Sequence, residues 1–312
     1  MTIRFTRSLR YELPLMRGVD VLAVQRRLRR LGFASVGQPD GLFGAATERA
    51  VLDFQARAGL AADGIVGPLT WNSLLPDTPA KDTSARDLLT RLPALCSPHR
   101  RFDGSIAWHL TESGLSIAGA VPEGTPGLPQ TVRRVRDEFA ASITRWSAGF
   151  GVPAELIIAT ICTESGGDPA SERQEPGFLS YEETPHRVSI GLMQTLISTA
   201  RETLAISGVN RGWLLEPDNA IRAGTAYIAR QSRHTSFDPP LVACAYNAGG
   251  IYVNHGPANC WRMRQYPIGT GHHADRFVAW FNDCFRMYEA DGGAPELSFF
   301  ALLRAGSQRH AA

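Results

Sequence analysis

Residues 153–165 read Pro-Ala-Glu-Leu-Ile-Ile-Ala-Thr-Ile-Cys-Thr-Glu-Ser, an apolar run that closes on a carboxylate. Proline suits the first helical position, where its missing N–H costs nothing. Leu156, Ile157, Ile161 and Cys162 recur near helical spacing, and Gly166-Gly167-Asp168-Pro169 stops the pattern. The spacing predicts a helix whose last turn holds Glu164. There the negative end of the helix dipole and the apolar surroundings both oppose ionisation, so both push a carboxyl pKa upward. A raised pKa is what a general acid requires. Taken alone, the same residue also reads as a solvated glutamate at a helix end, and the rest of the chain has to decide.

With 312 residues the chain is long enough for two domains and a connecting module. Hydrophobic content of 44% and charged content of 20% describe an ordinary globular protein. A formal net charge of +2 gives no electrostatic case for nucleic acid. No apolar run is long enough to span a bilayer, and residues 1–7 lack the apolar stretch of an export signal. The five cysteines, Cys96, Cys162, Cys244, Cys260 and Cys284, form no Cys-x-x-Cys pair, so neither a zinc knuckle nor a disulfide framework is readable. Most read as small buried hydrophobes, with a bridge among the last four left open.

Working outward to the N-terminus, Asp40-Gly41-Leu42-Phe43-Gly44-Ala45-Ala46-Thr47 returns as Asp63-Gly64-Ile65-Val66-Gly67-Pro68-Leu69-Thr70. Both copies read Asp-Gly-x-x-Gly-x-x-Thr, a tight turn opening onto a helix. Val21, Val24, Leu28 and Leu31 make one helical face before the first copy. Phe43, Thr47, Ala50, Val51 and Phe54 continue the pattern, and a short helix is expected from Pro68 to Leu75. This segment, 15–75, resembles the peptidoglycan-binding domain found beside many cell-wall hydrolases, on the paired units, Gln25, Leu28, Leu31-Gly32-Phe33 and Phe54-Gln55. The resemblance implies a three-helix wall-binding domain with contacts near Asp40, Phe43, Asp63 and Trp71, although Phe43 and Trp71 read more readily as core than as contact.

Residues 76–130 read as linker and connector. Pro76 to Asp87 is rich in Pro, Asp, Thr and Ser, and Ser105 to Ala118 reads as a small β-hairpin. From Thr131 the pattern turns wholly helical: Val132, Val135, Phe139, Ile143 and Trp146 form one stripe, and later helices are expected from Asp218, over Leu241–Ala248 and over Ala274–Met287. A polar insertion, Ser171 to Arg187, interrupts this half, and residues 291–312 read as a tail.

Four landmarks follow one another in this half: Glu164-Ser165, Gly191-Leu192-Met193-Gln194 with Thr199-Ala200, Asn219-Ala220-Ile221 with Gly224 and Tyr227, and Ala245-Tyr246-Asn247-Ala248-Gly249. Together they resemble the goose-type lysozyme and soluble lytic transglycosylase superfamily over 131–290. The fold expected is therefore mainly α: a three-helix domain, a hairpin-containing connector and a lysozyme-like catalytic domain. The resemblance implies that Glu164 is the catalytic acid, that Ser189, Met193 and Gln194 line a sugar cleft, and that Tyr246 and Asn247 approach the reacting ring. It implies peptidoglycan glycan strands as the partner; His234, His255 and His272-His273 lack the clustered spacing of zinc ligands, so no cofactor or metal is expected, and a monomer is expected.

Goose-type lysozymes carry an aspartate shortly after the Gly-Leu-Met-Gln motif, where this chain has Thr195, Leu196 and Ile197. The sequence therefore resembles the transglycosylases, in which one glutamate both protonates the glycosidic bond and helps the muramic 6-hydroxyl close a 1,6-anhydro ring. Glu175, Glu182 and Glu183 in the insertion are candidates for the second carboxylate that a hydrolase needs. Other readings are a dead wall-binding protein and a peptidase built on Cys162 and His186. The expected setting is synthesis in a bacterial cytoplasm without a signal peptide and action on the wall. The expected role is that of a phage endolysin, with a delivered antibacterial effector as the alternative.

Overall fold

The computed structural model describes residues 7–57, 60, 62–67, 70–71, 74–75 and 81–310, and it is mostly helical. It divides into two compact units, 1–78 and 79–312. None of the described helices is long and apolar enough to cross a membrane.

The smaller unit contains α1 (Val19–Arg30), a 3-10 turn (Ala34–Val36) and α2 (Ala45–Arg57). Val21, Val24 and Leu28 of α1 meet Ala50, Val51 and Phe54 of α2 in a core completed by Phe43, Val66, Trp71 and Leu74. The internal repeat has a physical basis in two buried glutamines. Gln25 Nε2 donates to Asp40 Oδ1 (2.9 Å), to the Leu42 carbonyl (2.9 Å) and to Thr47 Oγ1 (3.0 Å), and Oε1 accepts from Gly41 N (2.8 Å). Gln55 repeats the pattern on Asp63 (2.8 Å), Ile65 O (2.9 Å), Thr70 Oγ1 (2.9 Å) and Gly64 N (2.9 Å). Each glutamine thus satisfies a turn whose Asp-Gly step puts a glycine at positive φ, 80° at Gly41 and 72° at Gly64.

These positions revise the expected wall contacts. Phe43 and Trp71 are wholly buried, so their side chains hold the core together and offer no face to a polymer. Asp40 and Asp63 are exposed but accept from Leu42 N and Ile65 N as turn builders. Of the short helix expected from Pro68, the described residues show Trp71 N bonded to Gly67 O and Leu75 N to Trp71 O; Pro68, Leu69, Asn72 and Ser73 lie outside the described residues.

The larger unit begins earlier than the helical pattern suggested. Helix α3 (Lys81–Cys96) occupies the second half of the stretch read as linker, and carries Pro93 inside it. Its Leu88, Leu92 and Leu95 join the main core, which explains why tertiary packing overrides the breaker signal. Strands β1 (Trp108–Thr111) and β2 (Gly114–Ile117) form the expected hairpin, with Trp108 opposite Ile117. Buried Asp238 fixes this connector: it accepts from Trp108 Nε1 (2.8 Å) and pairs with His99 Nε2 (2.9 Å). Asp238 in turn holds the His99 imidazole above its usual value.

Then come α4 (Gln130–Phe150) and α5 (Ala154–Glu164). Every residue of α5 from Ala154 to Thr163 is buried, not one face only, because α5 is surrounded by α4 and the helices that follow. The insertion contributes one strand, β3 (Glu172–Gln174), to a small antiparallel sheet completed after it by β4 (Val188–Ile190) and β5 (Thr195–Leu196), in the order β3-β4-β5. This half is therefore not all helix. Strands of two or three residues carry too little alternation to register in the sequence.

The chain continues through α6 (Ile197–Leu204), α7 (Arg211–Leu215), α8 (Pro217–Thr235), α9 (Pro239–Ala248) and α10 (His272–Asp291). The stretch read as a tail ends in α11 (Phe299–His310), whose Phe299 and Phe300 are buried in the same core. Its N-terminus is tied to α5, since Phe300 N donates to Glu155 Oε1 at 3.0 Å. Burial raises the Glu155 carboxyl above the ordinary range. No cysteine is bridged: Cys162, Cys244 and Cys284 are buried as free thiols.

Candidate active site

Helix α5 delivers Glu164 to the edge of the core and then stops. Gly166 and Gly167 adopt φ of 63° and 87°, which turn the chain away. Ser165, at the same corner, donates Oγ to the Leu192 carbonyl at 2.7 Å and accepts from Gly167 N at 3.2 Å. That bond fastens the Gly191–Gln194 loop to the end of the glutamate helix. Gly191 itself has φ of 74°, and a Cβ there would overlap the Leu214 carbonyl oxygen, so only glycine fits.

Glu164 opens into a cleft of about 850 Å³, bounded by β4, β5, the end of α9 and the start of α10. Its side chain is only 16% exposed. Burial pushes its carboxyl up from 4.5 to about 7, against the pull of Arg276 and Arg173. His273 Nε2 lies 3.6 Å from Glu164 Oε1. Burial and Arg276 push that imidazole down to about 3. The pair is therefore a neutral imidazole beside a carboxyl, not an ion pair.

The sequence-predicted residues divide. Ser189, Gln194, Tyr246 and Asn247 line the cleft with Glu164. Gln194, at φ 44°, donates Nε2 to Ser171 O (2.9 Å) and Gly191 O (3.0 Å). Tyr246 donates its hydroxyl to the Met193 carbonyl at 2.8 Å, lies 3.1 Å from Thr195 Oγ1, and packs edge-on against Tyr227. Burial raises its phenol well above the usual value. Asn247 Oδ1 accepts from Tyr266 N at 2.5 Å.

Met193 is a correction. Its side chain is wholly buried against Gly224 rather than in the cleft, and what it contributes toward the site is the carbonyl that anchors Tyr246. Of the candidate second carboxylates, Glu175 lines the cleft and pairs with Arg173 (3.0 Å), whereas Glu182 and Glu183 are exposed and do not line it. Cys162 is buried with its thiol pushed up to about 12, while His186 is on the exposed cleft wall, so the two make no nucleophile–base pair.

Sequence reasoning missed His273 and Arg276, which reach the cleft from α10, more than a hundred residues after Glu164. The only signal was their i,i+3 spacing on one face of the last strongly patterned helix.

Two family descriptions match this chain: "Putative peptidoglycan binding domain" over residues 17–74 and "Transglycosylase SLT domain" over residues 141–259. The chain is 51% identical over 57 residues to the N-acetylmuramoyl-L-alanine amidase CwlM of Mycobacterium tuberculosis, a match spanning 18% of this chain and 14% of that protein. Among solved structures it is similar to an inactive mutant of the lytic transglycosylase Slt from Pseudomonas aeruginosa, at 15% identity and TM-score 0.37, over 92% of this chain and 54% of that one. It is also similar to a Burkholderia AP3 phage endolysin, at 15% identity and TM-score 0.25, over 90% of this chain and 100% of that one. The chain thus spans a small part of the curated relative and about half of the Slt structure. A match to a peptidoglycan-binding domain is thus followed by a match to a transglycosylase SLT domain, and the second matched range contains Glu164 and most of the cleft around it.

Proposed function

We propose that the protein is a peptidoglycan lytic transglycosylase, with Glu164 as its single acid and base and the N-terminal unit holding it on the wall. The observation that carries this reading is a buried carboxyl held near pH 7 in a cleft where, among the described lining residues, the only other carboxylate is Glu175, already paired with Arg173.

The chemistry follows from that environment. Burial keeps Glu164 protonated, so it donates to the glycosidic oxygen between N-acetylmuramic acid and N-acetylglucosamine as that C–O bond breaks. The ring acquires oxocarbenium character. The carboxylate left behind is stabilised by Arg173 and Arg276, the two cations that pull its pKa down. It then takes the proton of the muramic 6-hydroxyl, whose oxygen bonds to C1 and closes the 1,6-anhydro ring. Glu164 is again protonated and no water is consumed. Tyr246 and Asn247, fixed through Met193 O and Tyr266 N, serve to hold the ring beside the acid.

The test is release of soluble fragments from purified sacculi. Wild type should release them, and Glu164→Gln should lose about three or more orders of magnitude of rate, in line with removal of a general acid. A glutamine variant of undiminished activity would refute the assignment. The second reading, a hydrolase, is favoured by the position of Glu175 on the cleft; it requires Glu175→Gln to abolish turnover, whereas a transglycosylase retains it. A wall-binding unit joined to such an enzyme suits a phage endolysin. A holin gene beside this one supports that setting, and an adjacent immunity gene argues for a delivered effector.

A further inference from the structure

Next to the Glu164 cleft lies a second cavity of about 430 Å³, and Thr199, Tyr227 and Gly249 line both. The two cavities therefore adjoin, with different chemistry in each. The second cavity is lined by Arg101, Arg230, Arg233 and His234, with Glu202 as its one carboxylate. Glu202 is spent on Arg230. Arg101 and Arg233 have no acidic partner among the described residues, and Arg233 instead donates Nε to His234 Nε2 at 3.0 Å. Buried Gln231 also lines this cavity; its Nε2 donates to Ala245 O at 2.8 Å while its Oε1 has no partner among the described residues.

Arg101 comes from outside the SLT match, from the connector to which the sequence assigned no role. The connector is anchored for this purpose. His99 and Trp108 both bind Asp238, His99 and Trp108 exchange backbone hydrogen bonds, and Ile106 N donates to Cys260 O, which together bring Arg101 to the cavity wall.

We propose that this basic cavity is a subsite for the carboxylates of the peptide branches on a glycan strand. The sugars in the Glu164 cleft are neutral, and the strand's negative charge resides on its peptides. Two unneutralised guanidiniums contiguous with the cleft are suited to those carboxylates, which they bind with paired N–H donors. Gln231 Oε1 adds an acceptor for a peptide N–H on rearrangement of its amide. The inference rests on the glycan-cleaving reading, and its consequence is a preference for peptide-bearing over stripped strands.

The experiment uses the full chain and an Arg101→Gln/Arg233→Gln double variant on two soluble substrates: uncross-linked strands with intact peptides, and the same strands stripped by an amidase, with the lactyl carboxyls that the cut exposes converted to amides so that these strands are uncharged. On peptide-bearing strands at low salt, the variant should lose roughly fivefold to tenfold in kcat/KM, mostly through KM, with the loss shrinking as salt rises. On stripped strands it should match wild type. An equal loss on both substrates, or no loss on either, would overturn the proposal. Should wild type cleave neither, the catalytic reading fails, and the subsite is then read by calorimetric titration of a peptide-bearing disaccharide into Glu164→Gln protein. Weaker binding when Arg101 and Arg233 are also replaced supports the subsite, and unchanged binding contradicts it.

Discussion

Replacing Glu164 by Gln should make the larger unit more stable at neutral pH while disabling it. Burial raises this carboxyl from 4.5 to about 7 in the folded protein. A group whose proton is held more tightly when folded costs nothing below its unfolded pKa, where both states are protonated. The cost grows as pH rises from 4.5 and is complete above 7. At about 1.36 kcal/mol per unit, the ionised form of Glu164 opposes folding by about 3 kcal/mol above neutrality. Glutamine has nearly the same shape and no charge to desolvate. The variant should therefore gain about 3 kcal/mol over wild type at about pH 8, and none of that gain at about pH 4. For a domain of this size that is a rise of roughly 6–12 °C in Tm. Calorimetry of both proteins at the two pH values reads the difference directly. If the variant's advantage is the same at both, or absent at both, the carboxyl is not held in its neutral form by burial and the argument for a poised acid fails.

Further outcomes follow from the same geometry. Activity should decline as pH rises through about 7, because the Glu164 proton is lost there; a rate still climbing well above that value contradicts its role as acid. His99→Leu strands buried Asp238 and should cost about 2–4 kcal/mol. Because Asp238 raises the His99 pKa, that stabilisation is present below the ordinary histidine value and lost as pH rises through the raised one, so denaturant midpoints of wild type and variant should converge on the alkaline side. Gln55→Leu leaves buried Gly64 N without its acceptor and removes one donor each from Asp63, Ile65 O and Thr70 in a small unit, a loss of about 2–4 kcal/mol that should expose residues 1–78 to protease and abolish wall pull-down. Gly191→Ala, which collides with the Leu214 carbonyl, should displace Gln194 and cost most of the activity, whereas Gly119→Ala, at a similar φ of 78° but in open space, should not.

What the sequence made legible was what repeats or what packs. The paired Asp-Gly turns and the α5 run with its glycine stop could be read because each is a strong local signal. The glutamine brackets behind those turns are long-range bonds, so the motif was visible but its reason was not. Helix α3 was hidden by Pro93 and a polar first half, and α11 by its position at the end of the chain. At the site, Glu164, Gln194, Tyr246 and Asn247 were identifiable because they sit in ordered motifs. Met193, from the same motif, faces the core, since a loop residue's side-chain direction depends on a backbone turn that the letters do not specify. His273 and Arg276 arrive from a helix with no motif of its own, and Arg101 from the part of the connector before its hairpin, where no motif marks it.

The central claim is that one carboxyl, working without an activated water, breaks the strand. It is tested most directly by mass spectrometry of the muropeptides released from purified peptidoglycan by the wild-type protein. Intramolecular ring closure yields fragments ending in 1,6-anhydro-N-acetylmuramic acid, about 18 Da lighter than their hydrolysed counterparts because no water is added. Fragments with reducing muramic ends as the primary product would contradict it and make Glu175 the residue to explain.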